Sequence, residues 1–364
     1  MILTSDPGAA YRAHQGEIDQ AIKTVLESGW YVLGENVTAF EQEFANWCGV
    51  DFGVGVASGT DAISLALRAL DIVPGDEVIT VSHTAVPTVA AVEAIGAVPV
   101  LADVDADTYT LDPDQLSGLL SARTKAILSV HLYGHPCDMQ TISAFANGHG
   151  LAVVEDCAQA HGATIDGQKV GGFSDVACFS LFPTKNLGGI GDGGIVVTND
   201  SLIADKLRRL RQYGWDRPQH SIQTGLCSRL DELQAAILRV KLRYLDDDIK
   251  RRQEIADIYN QAFSQYQLEL PVVRSGCTHS YHLYVVQSSR REALRGFLEQ
   301  REIISGIHYP QPVHTQPAYA GRLATGTMAI TDKISPLILS LPLYPQMSAG
   351  DIESVVSAVS EFFG

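Results

Sequence analysis

The 364-residue chain has room for about two domains at roughly 150 residues each. Hydrophobic residues make up 46% and charged residues 19%, a globular composition that excludes a disordered tail protein. Lys+Arg number 26 against 42 Asp+Glu, and the formal charge of −16 argues against a nucleic-acid or anionic-membrane partner, although a local basic pocket for a phosphate stays open.

Six cysteines, Cys48, Cys137, Cys157, Cys178, Cys227 and Cys277, are spread along the chain with no C-x-x-C pair. That spacing excludes a zinc ribbon or a thioredoxin-like motif and fits reduced cysteines of a cytosolic protein. The N-terminus shows no basic region followed by an apolar run, so no signal peptide is expected. The longest apolar stretch, Ala85 to Ala102, is interrupted by Pro87, Glu93, Gly96 and Pro99 and is too short to span a bilayer. A cytoplasmic protein with no membrane partner is expected.

Helix and strand patterns alternate along the chain. Asp61 to Leu70 places Ala62, Leu65, Ala66 and Ala69 on one helical face. Glu77 to Val81 is a β-branched run after the Pro74-Gly75-Asp76 turn, and Pro87 to Ile95 predicts a helix with proline in its first turn. Val98 to Leu101 is strand-like, and Asp112-Pro113 opens a helix to about Leu120 with an acidic N-cap. Lys125 to Val130 and Leu151 to Val154 are apolar runs fit for strands buried on both faces, with a helix from about Met139 to Asn147 between them. Val176 to Ser180 and Ile195 to Thr198 predict two strands separated by a glycine-rich loop. A long helical region follows from about Arg229, charged from Arg243 to Tyr259. A strand from His282 to Gln287 and helices Arg291 to Gln300 and Asp351 to Phe362 suggest a smaller C-terminal unit. The reading is α/β with a mainly parallel sheet, divided into residues 1–245 and 246–364.

Four patterns bear on chemistry. The run Gly189 to Gly194 matches G-x-G-x-x-G, but it precedes a strand, whereas a dinucleotide fingerprint must open a helix. His131, His135 and Cys137, with Asp156, Cys157 and His161 further on, would be a zinc set only if they converged, and Gly134 and Pro136 break any helix that would bring the two histidines together. Ser58-Gly59-Thr60 directly before a helix can cradle a phosphate with backbone N–H groups and a hydroxyl. Finally, Asp156 closes an apolar strand and Lys185 sits in a loop just past a buried one. A phosphate cradle, an acid and a lysine in that order are the three anchors that pyridoxal 5′-phosphate requires.

Around these anchors the sequence resembles the sugar aminotransferases of the DegT/StrS type, pyridoxal phosphate enzymes of the aspartate-aminotransferase fold. The blocks that carry the likeness are GVASGTDAISLAL from Gly55, GDEVIT from Gly75, VEDCAQAHGA from Val154, FSLFPTKNLGGIGDGG from Phe179, SRLDELQAA from Ser228 and IHYPQPVHTQPAY from Ile307. The resemblance implies Lys185 as the Schiff-base lysine and proton carrier. It implies Asp156 on the pyridine nitrogen, Gln159 beside the ring hydroxyl, and Gly59, Thr60 and Ser180 on the phosphate. Relatives that dehydrate sugars carry histidine where this chain has Lys185, so transamination is expected. The tail block looks like members acting on dTDP-linked 3-keto-6-deoxyhexoses, which implies substrate contacts from His308 and Tyr309, with His314 and His161 as further candidates.

Two departures stand out. Cys227 replaces the asparagine that reaches the cofactor phosphate across the dimer interface in the family, and a thiol is a poorer donor than an amide. Ala85 replaces an aromatic that stacks on the cofactor, which leaves His83 as a possible substitute. The expectation is therefore an aminotransferase using L-glutamate and a nucleotide-linked keto sugar, acting as a homodimer with shared active sites and no metal. The alternatives are a 4-keto nucleotide sugar or keto-inositol as acceptor, or a regulatory protein that keeps the cofactor without turnover.

Overall fold

The computed structural model describes residues 1–364. Seven strands form the main sheet: Phe52–Val56 (β1), Glu77–Val81 (β2), Val98–Ala102 (β3), Thr124–Val130 (β4), Ala152–Asp156 (β5), Val176–Ser180 (β6) and Gly194–Thr198 (β7). Their spatial order is β1-β7-β6-β5-β4-β2-β3. From β6 to β3 every neighbouring pair is parallel, whereas β7 runs antiparallel to both β6 and β1. The short apolar runs are explained by burial on both faces. Val154, Val176 and Val196 point into one core under the helices Gly59–Ala69 and Ser201–Leu210. Ala177, Phe179, Ile195 and Val197 point into the other, under Glu35–Cys48 and Glu232–Leu242.

Several details differ from the sequence expectation. The helical region after Arg229 is two helices, Glu232–Leu242 and Leu245–Phe263, broken at Arg243 and Tyr244. The stretch after Asp112 is a 3₁₀ turn followed by the four-residue helix Leu116–Leu119, although Asp112 does cap it through the Asp114 N–H. The glycine-rich run ends by opening β7, so its last glycine begins a strand.

Beyond Leu245, the helices Leu245–Phe263, Arg291–Glu299 and Ala349–Phe363 and the antiparallel pair Tyr284–Gln287 with Ile338–Leu341 enclose a separate core around Tyr259, Phe263, Tyr284 and Leu339. Two pieces of this part return to the first. Ala324–Thr325 adds a short parallel eighth strand beside β3, and Cys277–Thr278 pairs with Thr164–Ile165. No helix is long and apolar enough to cross a membrane.

One buried carboxylate orders the approach to the sheet. Glu232 accepts the backbone N–H groups of Gly34, Asn36 and Val37 and the Asn36 amide, so it caps Glu35–Cys48 from another helix. The parallel strands end together at one edge, where Ser58, Thr84, Asp156 and Ser180 follow or close β1, β2, β5 and β6. A crevice at the carboxyl ends of such strands is where this architecture offers a binding site.

Candidate active site

A cleft with about 340 Å³ of space open to the centre of a water molecule lies at that edge. Its wall includes Ser58, Gly59, Thr60, Thr88, Asp156, Gln159, Ser180 and Lys185. All six of the anchors expected from the sequence, Gly59, Thr60, Asp156, Gln159, Ser180 and Lys185, therefore converge on one space.

At one end stands the N-terminus of Gly59–Ala69. Ser58 caps it by accepting the Asp61 N–H at 3.1 Å, which leaves earlier N–H groups facing the cleft. Glycine is required at 59 because a Cβ there would lie 2.7 Å from the Ser180 Cβ. Gly194 has the same cause: a Cβ would meet the Ser58 carbonyl oxygen at 2.3 Å. Ser228 buttresses the loop by donating to Asp61 at 2.6 Å and accepting the Ala57 N–H at 3.1 Å. Aligned N–H groups, two hydroxyls and the helix dipole make this end an anion cradle.

At the other end Asp156 is buried at the tip of β5. Burial pushes its carboxyl up from the usual range, opposed by the Ala158 N–H (3.1 Å), the Thr88 hydroxyl (2.9 Å) and the charge of Lys185. Thr88 is in turn paired with Thr84 at 3.0 Å. Lys185 is held in the turn after β6, and burial lowers its amine to about 8 against the opposing pull of Asp156. An amine so tuned exchanges a proton near neutral pH. Gln159 is pinned at both ends: its Oε1 accepts the Tyr133 N–H at 2.7 Å, and its Nε2 donates to the Tyr309 hydroxyl at 2.9 Å.

The remaining expected residues separate into two groups. Tyr309 stands one contact behind the cleft wall through Gln159, with its hydroxyl pushed up to about 12 by burial. His308 is lowered to about 4 by burial and by Lys185, so its ring is neutral, and its Nδ1 meets the Ser340 hydroxyl at 2.8 Å. The other four lie away from the cleft. His161 has no exposed surface and is wedged between Phe44 and Phe179, so it touches no substrate in this conformation. His83 is buried with Nε2 on the Tyr133 hydroxyl at 2.7 Å, in an aromatic cluster with Tyr109, and does not take the stacking position that Ala85 leaves open. His314 is a strut, with Nδ1 on Ser82 at 2.7 Å and Nε2 on Asp332 at 3.2 Å. Cys227 is exposed, and its backbone bridges to Gln212 outside the cleft of its own chain.

In the zinc alternative, the two closely spaced histidines have no free ligand atom, and His161 is shut away between Phe44 and Phe179. His131 uses Nε2 on Glu155 (3.0 Å) and Nδ1 on the Cys137 N–H (2.9 Å). His135 uses Nδ1 on the Pro136 carbonyl and Nε2 on the Arg274 N–H. Sequence reasoning passed over Thr88 and Tyr133. The first has no local signal beyond lying one residue past Pro87, and the second is a tyrosine with φ +60° in a tight turn.

Known proteins share this fold and much of this sequence. The chain is 46% identical over 349 residues, 96% of each chain, to dTDP-3-amino-3,6-dideoxy-alpha-D-galactopyranose transaminase of Aneurinibacillus thermoaerophilus. It is also 46% identical to dTDP-3-amino-3,4,6-trideoxy-alpha-D-glucose transaminase of Streptomyces venezuelae, over 98% of this chain and 95% of the relative. The solved structure of Streptomyces venezuelae DesV in complex with a ketimine intermediate superposes with a TM-score of 0.97 at 44% identity, covering 99% of this chain and 98% of that one. The pattern of one family matches residues 12–360, nearly the whole length, and the chain belongs to that DegT/DnrJ/EryC1/StrS aminotransferase family.

Proposed function

We propose that the chain transfers an amino group from L-glutamate to the C-3 keto group of a dTDP-linked 3-keto-6-deoxyhexose, with pyridoxal 5′-phosphate as cofactor. The observation that carries this reading is the convergence of Lys185, Asp156 and the Ser58–Thr60 helix end on one cleft. The two relatives named above both carry their amine at C-3 of a dTDP-linked sugar, which supports the regiochemistry.

The cleft fits the cofactor. Gly59 leaves the helix end and Ser180 open to a phosphate where any Cβ would close the gap. Asp156 offers a buried anion that would pair with the pyridine nitrogen, Gln159 would stand beside the ring hydroxyl, and Lys185 offers an amine of low basicity. When bound, the cofactor supplies an electron sink that acidifies the carbon–hydrogen bond next to the transferred nitrogen. Neutral Lys185 takes that proton and returns it one atom away. The Asp156 anion, steadied by Thr88 and Ala158, keeps the sink electron-poor. The reaction runs in two halves, glutamate first and keto sugar second, giving ping-pong kinetics. In this reading His308 and Tyr309 would serve the sugar nucleotide, Tyr309 through its bond to Gln159.

A homodimer with shared sites completes this proposal. Exposed Trp30, Tyr31, Val32 and Ile190, together with Phe182 at the cleft itself, supply an apolar surface for a second copy, from which Cys227 would approach the phosphate. Residues 1–245 would form the cofactor unit and 246–364 the smaller one, in the cytoplasm. The test is the visible absorption spectrum of purified protein supplied with the cofactor. A yellow band that L-glutamate bleaches and a dTDP-3-keto-6-deoxyhexose restores is the expected result. Absence of any band overturns the reading at its centre, and restoration by a 4-keto sugar alone overturns the regiochemistry.

A further inference from the structure

Ten buried side-chain nitrogens and oxygens lack a hydrogen-bond partner, and five of them belong to four residues around Lys185: both ring nitrogens of His161, Nδ1 of His282, Oδ1 of Asn186 and Nε of Arg252. Asn186 adjoins Lys185 in the chain, and His161 and His282 both feel the charges of Lys185 and Arg252. Such a concentration is unusual, because an unpartnered buried polar atom costs about 1–3 kcal/mol and is normally satisfied by protein or by ordered water.

A second, smaller pocket is lined by two of these four residues, Asn186 and Arg252. It is bounded by Asp6 and Ala10 of the N-terminal arm, by Lys185 and Asn186, and by Asp248 and Arg252. About 30 Å³ of it is open to the centre of a water molecule, and each water needs roughly 10–15 Å³. Lys185 is the one residue that lines both this pocket and the cofactor cleft. The lining mixes an unused donor, Arg252 Nε–H, with an unused acceptor, Asn186 Oδ1. Water, a donor and an acceptor in one molecule, satisfies both at once.

We propose that this rear pocket is a hydrated port through which Lys185 exchanges protons with solvent during turnover. The inference rests on the reading of Lys185 as the proton carrier. When the amine takes a proton from the substrate carbon it becomes an ammonium. A water in the port accepts one of its three protons and a proton from solvent replaces it, so lysine keeps its charge while the substrate's own proton is lost to bulk water. The reaction needs no other reactant.

The test uses the cofactor-loaded enzyme and α-deuterated L-glutamate in a single half-reaction, with deuterium at the new C–H of the released pyridoxamine phosphate read by mass spectrometry. The native enzyme should retain little label. Ala10→Phe, which fills the pocket from the N-terminal arm, should raise retention toward roughly one third, the share of one label among the three protons of a sealed ammonium. Ala10→Ser should behave as the native chain does. Equal retention in the native enzyme and Ala10→Phe overturns the port. A crystal structure of the native enzyme decides the matter independently of folding in the variants and of the donor's identity. Ordered water bonded to Arg252 Nε and Asn186 Oδ1 supports the port, and a dry pocket overturns it. Failure of glutamate to react at all would count against the function proposed above, with the water density still deciding the port.

Discussion

Replacing Thr88 by valine would remove one oxygen and keep the shape of the side chain. That oxygen donates to Asp156 at 2.9 Å, and it is one of two donors on a carboxylate that burial already pushes toward its neutral form. A hydrogen bond to a charged group contributes about 1.5–3 kcal/mol. Without it the neutral acid is favoured further, and the neutral acid cannot pair with a protonated pyridine nitrogen. If the cofactor must ionise Asp156 on binding, the whole of that energy appears as lost affinity, roughly 10- to 150-fold in the dissociation constant. The sign fixes the pH dependence. Well above the Asp156 pKa the carboxylate is ionised in both proteins and the variant binds nearly as well. As pH falls toward the raised Asp156 pKa the variant protonates first, so the ratio of dissociation constants should widen between a high and a low pH. Spectrophotometric titration of the apo-proteins with pyridoxal phosphate at both pH values measures it, with Thr88→Ser as the control that keeps the hydroxyl. A ratio that is independent of pH, or no loss at the lower pH, would refute the assignment of Thr88 as the residue that holds Asp156 ionised.

Three further outcomes are expected. The rate at which apo-protein captures pyridoxal phosphate should rise with pH through a midpoint near 8, since only the neutral Lys185 amine reacts, and Asp156→Asn should lower that midpoint by removing the anion that holds the ammonium; stopped-flow absorbance checks both, and a midpoint that moves upward contradicts the charge coupling. Glu232→Ala strands three backbone N–H groups and the Asn36 amide, and should cost about 3 kcal/mol in urea unfolding, with Glu232→Gln costing less; a loss under about 1 kcal/mol would show that water replaces the cap. Cys227→Asn should tighten cofactor retention if the partner copy brings this position to the phosphate, and unchanged retention in equilibrium dialysis would remove Cys227 from the shared site.

Much of this was visible in the chain itself, for identifiable reasons. Glu77–Val81 and Val176–Ser180 form strands with the expected limits because a sheet buried on both faces demands unbroken apolar runs, and the turns beside them are marked by proline, glycine or acid. Gly59, Asp156 and Lys185 were legible because each stands at a strand end or helix start, where its local neighbours already say what it can bind. Thr88 was not, since its partner lies 68 residues away and the two meet only through the sheet order that sets β5 two places from β2. The break at Arg243 and Tyr244 and the returning strand Ala324–Thr325 are tertiary choices of the same kind.

The histidines show where residue type stops being informative and bond accounting takes over. His83, His131, His135, His161, His308 and His314 are all candidates on paper, and in the fold a ring nitrogen's partners decide among them. His131, His135 and His314 spend both nitrogens on protein atoms, so they tie segments together and have nothing left for a ligand. His83 spends Nε2 on Tyr133, whose hydroxyl also meets the His308 carbonyl, and so it steadies the substrate-facing segment from behind. His308 spends only Nδ1, on the Ser340 hydroxyl. His161 spends neither, although it is wholly buried within the influence of the Lys185 and Arg252 charges. An imidazole with two idle nitrogens in a dry aromatic cage would be a costly residue to keep.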